Sequence, residues 1–208
     1  MGQPRIGLLG GSFDPIHNAH LALARCARDQ LGLDAVWLLP AGSPWQRPPL
    51  TASAEQRRAM VELAIAEQPG LALCSVELDR SGPSYSIDTL RQLQQQHPQT
   101  RFTFILGADQ LANLTSWKDW AEIAARVDLA VASRPGHADA CPPQLEHALA
   151  AAGHHLRRLT MAETALSASA VRAALADGQP AADFVPAPVA RYIDQHHLYS
   201  QNHRHGHS

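Results

Sequence analysis

Short apolar runs alternate with helix-like segments along most of this chain, and this alternation limits the folds open to it. The runs are continuous rather than interrupted by polar residues, which is typical of strands covered on both faces. The alternation of strands and helices predicts an α/β fold with a doubly wound parallel sheet and right-handed crossovers. The predicted strands are 5–10, 35–40, 71–78, 101–107, 127–133 and, more weakly, 155–160. The predicted helices between them are 18–31, 54–67, 85–96, 117–125 and 143–152.

The C-terminal part of the chain has a different pattern. LSASAVRAALADG (166–178) predicts a capped helix that ends at Gly178, and PAPVARYIDQHHL (186–198) predicts a second helix that begins at proline. A length of 208 residues favours one domain. We therefore predict a single domain over 1–200, with a small C-terminal helical lobe (166–199) against the carboxyl edge of the sheet. The polar tail 201–208 is predicted to be disordered and solvated rather than a metal site.

Composition excludes several classes of function. The net charge of -2 provides no basic field for wrapping nucleic acid. The three cysteines are widely spaced and form no CxxC, which argues against a disulfide framework and against a cysteine-based zinc site. No apolar run approaches the length of about 18 residues that suggests a membrane span, and the N-terminal run is too short for a signal peptide. These features predict a cytoplasmic protein with no membrane partner.

The stretch LLGGSFDPIHNAH (8–20) contains the end of the first predicted strand and the turn after it, where ligands bind in open α/β sheets. Gly10 and Gly11 permit a tight turn and a close approach of the backbone to a ligand. Pro15 fixes the turn, and His17 and His20 fall on one face of the next helix. The helix N-terminus favours an anion, and imidazoles can donate hydrogen bonds to developing charge. The pattern favours a phosphate site over two incidental histidines, or over a zinc site that lacks a third ligand.

GSFDPIHNAH resembles the GxFxPxHxGH motif of a nucleotidyltransferase superfamily, with Ala19 in place of the usual glycine. The resemblance implies transfer of a nucleotidyl group from a nucleoside triphosphate with release of pyrophosphate. LSASAVR (166–172) is similar to the superfamily's late ISxTxxR element. By itself it predicts a helix capped by Ser167, with Arg172 suited to phosphate oxygens. Together the two motifs imply catalytic roles for His17, His20 and Arg172, and an ATP site formed by Gly10, Gly11, Ser12, Phe13, His17, His20, Ser167, Ser169 and Arg172. The segment ILGADQL (105–111), which is similar to a GxD element of related enzymes, implies that Gly107 and Asp109 belong to the same site.

The segments between the two motifs narrow the resemblance to bacterial nicotinate mononucleotide adenylyltransferases. PAGSPWQRP (40–48) resembles that family's acceptor loop, although Trp45 and Gln46 replace the usual Pro-His. GPSYSIDTL (82–90), ILGADQL (105–111), TSWKDW (115–120) and ASRPG (132–136) are similar to its further elements. The resemblance implies that the acceptor is bound by Arg47, Tyr85, Thr89, Trp117 and Arg134. Without it, Tyr85 and Trp117 could equally be core aromatics and Asp109 a helix cap.

The resemblance implies that the 5′-phosphate of nicotinate mononucleotide attacks the α-phosphorus of ATP directly, giving nicotinate adenine dinucleotide and pyrophosphate. Mg²⁺ is expected to arrive with ATP, with no metal ligand supplied by the chain. The expected partners are these two substrates, in a monomer or homodimer. Three alternatives remain at this point: a nicotinamide mononucleotide acceptor, a phosphopantetheine acceptor, and a non-catalytic module that senses nucleotides.

Overall fold

The computed structural model describes residues 2–43, 50–133, 141–161 and 166–200. These residues form one six-stranded parallel sheet with the strand order β3-β2-β1-β4-β5-β6. The strands are β1 (Arg5–Gly11), β2 (Ala35–Pro40), β3 (Leu71–Leu73), β4 (Arg101–Leu106), β5 (Asp128–Ser133) and β6 (Leu156–Thr160). The helices are α1 (Asn18–Leu31), α2 (Ala54–Ile65), α3 (Ser86–Gln96), α4 (Ala108–Asn113), α5 (Trp120–Arg126), α6 (Pro143–Ala151), α7 (Ala168–Ala176) and α8 (Ala187–Gln195). The predicted doubly wound parallel α/β fold is confirmed.

Apolar layers cover both faces of the sheet. One layer contains the buried faces of α1, α2 and α8, and the other contains those of α3, α5 and α6. Neighbouring residues of β1 go to opposite layers: Leu8 packs in the second and Leu9 in the first. Burial on both faces explains why the strands read as continuous apolar runs. Strand β1 pairs with both β2 and β4, so the strand order reverses at β1, and its carboxyl end is the predicted place for a ligand.

Three elements of the structure differ clearly from the prediction. Strand β3 stops at Leu73 instead of continuing to 78, because the chain turns there: the N–H groups of Leu78 and Asp79 donate to the carbonyl of Ser75. A short helix, α4, was not predicted. Helix α5 begins at Trp120 rather than 117, after a 3-10 turn at Leu114–Ser116.

The C-terminal helices pack into the main core. Val189 and Ile193 of α8 are buried in the same layer as Met60 and Val61 of α2. The N–H of Asn18, at the start of α1, donates to the carbonyl of Phe184 at 2.9 Å. The segment after β6 therefore joins the side of the sheet that carries the first turn. In the described ranges, no helix is long and apolar enough to cross a membrane.

Candidate active site

The turn between β1 and α1 is tight and leaves open space at its first glycine. Phe13 has a left-handed φ of 47°, and the Asp14–Pro15 peptide bond is cis. The Phe13 ring lies against Gly11, where a Cβ would come within 3.2 Å of Phe13 Cζ. At Gly10 a Cβ would meet only the Phe104 ring, at 4.0 Å. The backbone at Gly10 is therefore open to close approach by a ligand.

The two histidines of the turn are stacked on each other. Their ring centroids lie 3.6 Å apart at an interplanar angle of 25°. The backbone N–H of His17 donates to Nδ1 of His20 at 3.2 Å. A ring nitrogen that accepts a hydrogen bond carries no proton, so the neutral imidazole of His20 holds its proton on Nε2. His20 can therefore donate a hydrogen bond from Nε2.

His17 is the N-cap residue of α1 and is buried. Burial lowers the pKa of His17 from 6.5 to about 4, so the imidazole is neutral near pH 7. Its Nδ1 is buried and makes no hydrogen bond within the described part of the chain. The ring stands at a helix N-terminus, where backbone N–H groups and the helix dipole favour an anion. A neutral His17 can bind a phosphate oxygen as a hydrogen-bond donor.

The late motif lies against the first turn. Ser167 caps α7 by accepting from the N–H of Ala170 at 3.2 Å, and its hydroxyl lies 3.0 Å from that of Ser169. Arg172 Nη1 donates to the backbone carbonyl of Asp14 at 2.7 Å. This hydrogen bond joins residues 158 positions apart. The N-terminus of α7 and its arginine are thus attached to the turn that carries the two histidines.

A buried arginine connects the chain that follows β1 to the chain that follows β2. Arg57, on α2, is 1% exposed. Its Nη1 donates to the carbonyl of Ser12 at 2.9 Å and to that of Ala41 at 2.7 Å. Burial lowers the pKa of the Arg57 guanidinium, and the Asp14 carboxylate opposes that change. Arg57 therefore fixes the turn after β1 relative to the chain that follows β2.

A cleft of about 280 Å³ opens beyond the carboxyl ends of β1, β2 and β4. Six of the predicted site residues line it: Gly10, Gly11, Ser12, Tyr85, Asp109 and Trp117. The lining also includes Glu77, Ser84, Gln110, Asn113 and Lys118, none of which was predicted. A cleft bounded by glycine backbone, two aromatic rings and a few polar groups is typical of a small-ligand site.

Tyr85 and Trp117 form an aromatic wall of the cleft. Trp117 contacts Phe104 edge-on, with ring centroids 6.3 Å apart. Lys118 Nζ lies 4.5 Å from the centroid of the Tyr85 ring and 3.3 Å from an Asp88 oxygen. Lys118 is the one cation among the described residues that line the cleft. These rings can stack on a flat ligand, and the ammonium group favours an anionic one.

Thr89, predicted to contact the acceptor, lies behind the cleft wall. It is fully buried and donates to Glu77 Oε1 at 2.8 Å, while Arg80 donates to its hydroxyl at 3.0 Å. Desolvation raises the pKa of Glu77, and the Thr89 hydrogen bond opposes that change. Behind the same wall, Gly42 packs so closely on the carbonyl of Glu77 that a Cβ would come within 2.1 Å of it. Thr89 therefore orients Glu77, which does line the cleft.

The other predicted residues fall into three groups. His17, His20, Ser167, Ser169 and Arg172 belong to the turn and to α7. The turn borders the cleft through Gly11 and Ser12, but none of these five residues lines it. Phe13 is buried beneath the turn, and Gly107 caps α4 and donates its N–H to Gln110 Oε1 at 3.0 Å. Arg47 and Arg134 lie outside the described residues, as do Trp45, Gln46 and the tail 201–208.

Sequence reasoning missed Arg57, Glu77 and Lys118. Arg57 had a usable signal, because it occupies the i position of a stripe that continues with Met60, Val61 and Ala64, all buried. An arginine on the apolar face of a helix needs buried acceptors. Glu77 stood at the end of a predicted strand, and Lys118 was the lone lysine of the chain. Neither observation indicated a site by itself.

Comparison with known proteins identifies the family of this chain. Residues 8–174 match the cytidylyltransferase-like family. A Bordetella petrii protein named "Probable nicotinate-nucleotide adenylyltransferase" is 54% identical over 195 residues, which are 94% of this chain and 98% of the relative. A Neisseria meningitidis protein of the same name is 39% identical over 200 residues, covering 95% and 99%.

A solved structure has the same fold. It is the Plasmodium falciparum nicotinic acid mononucleotide adenylyltransferase complexed with NaAD, similar with a TM-score of 0.75 at 19% identity, over 94% of this chain and 97% of that one. At that identity the likeness concerns the fold, whereas the bacterial relatives match at 39% and above over nearly their whole length. The chain belongs to the nicotinate-nucleotide adenylyltransferase family, within the cytidylyltransferase-like proteins.

Proposed function

We propose that this protein transfers the adenylyl group of ATP to nicotinate mononucleotide, forming nicotinate adenine dinucleotide and pyrophosphate. The observation that carries the proposal is the hydrogen bond from Arg172 to the carbonyl of Asp14. It joins the capped N-terminus of α7 to the histidine turn, so two separate anion-binding features stand beside one cleft. The names of the bacterial relatives support the choice of acceptor.

In the reaction, an oxygen of the mononucleotide phosphate attacks the α-phosphorus of ATP in line. The bond from that phosphorus to the oxygen that bridges to the β-phosphorus breaks, and pyrophosphate leaves with the electron pair. A phosphate needs no strong base to act as a nucleophile, so positioning and charge stabilisation are the main contributions. His20 donates from Nε2 to phosphate oxygens as charge develops, and the neutral His17 donates beside it. Ser167 and Arg172 bind the departing phosphates.

The acceptor binds between the histidine turn and the aromatic wall. Its pyridine ring stacks on Trp117 beside Tyr85, and the open backbone at Gly10 admits phosphate or ribose. Asp109, which is exposed in the cleft at the start of α4, accepts hydrogen bonds from a ribose hydroxyl of the nucleotide. Arg47 and Arg134 remain candidates for the acceptor phosphate. The monomer-or-homodimer state and the cytoplasmic location remain predictions.

Mg²⁺ enters the scheme as a ligand of ATP. The ion prefers to keep water and phosphate oxygens around it rather than an all-protein cage. Within the described ranges, no three or more His, Cys, Asp or Glu side chains gather in a way that could hold a metal. In this scheme the chain supplies the phosphate contacts, and the cation is part of the substrate.

The test is acceptor-dependent release of pyrophosphate. Protein and Mg·ATP are mixed in turn with nicotinate mononucleotide, nicotinamide mononucleotide and phosphopantetheine, and pyrophosphate is measured by a coupled assay. We expect turnover with nicotinate mononucleotide that clearly exceeds turnover with the other two. Release with another acceptor alone would reassign the substrate. Binding of ATP without release for any acceptor would favour the non-catalytic sensing module.

A further inference from the structure

The end of the described chain contacts the turn that carries the histidines. Tyr199 lies beyond α8, has a left-handed φ of 65° and is buried. Its hydroxyl donates to Asp14 Oδ1 at 2.7 Å, a contact between residues 185 positions apart. Asp14 lies three positions before His17 in the same turn. The C-terminal segment is therefore hydrogen-bonded directly to the turn that carries the two histidines.

Asp14 is a buried carboxylate with three hydrogen-bond donors. Besides Tyr199, the N–H of Thr51 donates to Oδ2 at 2.7 Å and the N–H of Ala52 donates to Oδ1 at 3.1 Å. Asp14 is 1% exposed, so water cannot readily replace a donor that is lost. The carboxylate consequently fixes the first turn to the chain that enters α2, and Tyr199 completes that arrangement.

Tyr199 is suited to act as a permanent donor. Burial and the neighbouring Asp14 carboxylate raise the pKa of the Tyr199 hydroxyl, so it keeps its proton across the working range of an enzyme. Tyr199 is itself held in place, because α8 packs on α2 and the N–H of Leu198 donates to the carbonyl of Ile193 at 3.0 Å. The backbone carbonyl of Asp14 accepts from Arg172, so one residue receives both the C-terminal tyrosine and the late-motif arginine.

We propose that Tyr199 is a positioning residue for adenylyl transfer: through Asp14 its hydroxyl holds the turn that presents His17 and His20 to the phosphates. The inference rests on the proposed function. Small misplacement of catalytic groups costs far more in turnover than in binding, because orientation matters most in the transition state. Losing the Tyr199 hydroxyl should therefore lower kcat more than it raises either KM.

The first experiment compares Tyr199→Phe with Tyr192→Phe. Tyr192 lies on α8, the helix just before Tyr199, and its ring contacts His196. This control therefore removes a tyrosine hydroxyl from the same C-terminal region without touching Asp14. For Tyr199→Phe we expect kcat to fall about tenfold to a hundredfold, with each KM changed by less than about threefold. The control should keep wild-type kcat. Wild-type kcat in Tyr199→Phe would overturn the inference.

A double-mutant cycle and hydrogen exchange separate positioning from a merely structural role. If Tyr199 acts through Asp14, Tyr199→Phe should lower kcat much less in an Asp14→Asn background than in the wild type. The amide protons of Thr51 and Ala52 should exchange about tenfold faster in Tyr199→Phe. Faster exchange with unchanged kcat, or additive effects in the cycle, would overturn the inference. If the wild-type chain releases no pyrophosphate with any acceptor, the proposed function fails. The exchange experiment is independent of that result: unchanged exchange at Thr51 and Ala52 in Tyr199→Phe would refute the positioning role of the Tyr199–Asp14 contact.

Discussion

Replacing His17 with asparagine should remove a large part of the pH dependence of folding stability below neutrality. Burial lowers the pKa of His17 from 6.5 to about 4, so as the pH falls the unfolded chain takes up the proton first. Since the folded-state pKa is the lower one, the contribution of His17 to the free energy of unfolding is complete above pH 6.5 and is lost as the pH falls toward 4. The pKa difference of about 2.5 corresponds to a loss of about 3 kcal/mol in the free energy of unfolding when the titration is complete. Between about pH 7.5 and 5 the expected loss is about 2 kcal/mol.

The assay is urea unfolding followed by tryptophan fluorescence at about pH 7.5 and at about pH 5. Asparagine suits an N-cap position and does not titrate, so His17→Asn should fold and should lose about 2 kcal/mol less than the wild type on acidification. His147→Asn, which removes an exposed histidine of α6, is the matched control and should follow the wild type. Equal losses in the wild type and in His17→Asn would refute the assignment of a buried, neutral His17.

Three further substitutions test the site. His20→Ala should lower kcat about a hundredfold to a thousandfold by removing the Nε2 donor, while calorimetry should find ATP affinity much less changed; a near-normal kcat would contradict a catalytic role. Arg57→Met should cost about 3–5 kcal/mol in urea unfolding, because the carbonyls of Ser12 and Ala41 lose a buried donor. Arg58→Met, which breaks a surface pair with Asp79, should cost less than about 1 kcal/mol, and equal costs would refute the structural role of Arg57. Trp117→Ala should raise the KM for nicotinate mononucleotide about tenfold, the loss expected for one stacked ring; an unchanged KM would mean that the ring does not stack on the acceptor.

The sheet was predictable because each central strand is buried on both faces. The continuous apolar runs at 5–10, 35–40, 101–107 and 127–133 mark β1, β2, β4 and β5 to within two residues. The prediction was wrong where local hydrogen bonds compete with apolar character. LALCSVEL reads as one long strand, but after Leu73 the chain turns through Ser75, whose hydroxyl donates to Asp79 at 2.6 Å. The pattern of apolar residues does not show where such a turn interrupts a strand.

The candidate site was predictable where the chemistry is local in sequence. His17 and His20 lie one helical turn apart just after a strand and a glycine turn, and Ser167 and Arg172 share one helix. This placement favoured anion binding, and the resemblance of both segments to known motifs strengthened the prediction. The contacts that hold these parts together were not predictable, because the two partners of each contact are distant in the sequence. Arg57 donates hydrogen bonds to backbone carbonyls 45 and 16 positions away. Every residue has a backbone carbonyl, so the sequence does not indicate which ones accept these bonds.

The most direct test of the account is the stereochemical course at the α-phosphorus. The chain is supplied with nicotinate mononucleotide and one diastereomer of adenosine 5′-O-(1-thiotriphosphate) as its metal complex, and the configuration of the thio-dinucleotide product is determined. Direct in-line attack by the acceptor phosphate, as the histidine turn and α7 are proposed to support it, predicts inversion at the α-phosphorus. Retention would require a covalent adenylyl intermediate and would contradict direct transfer.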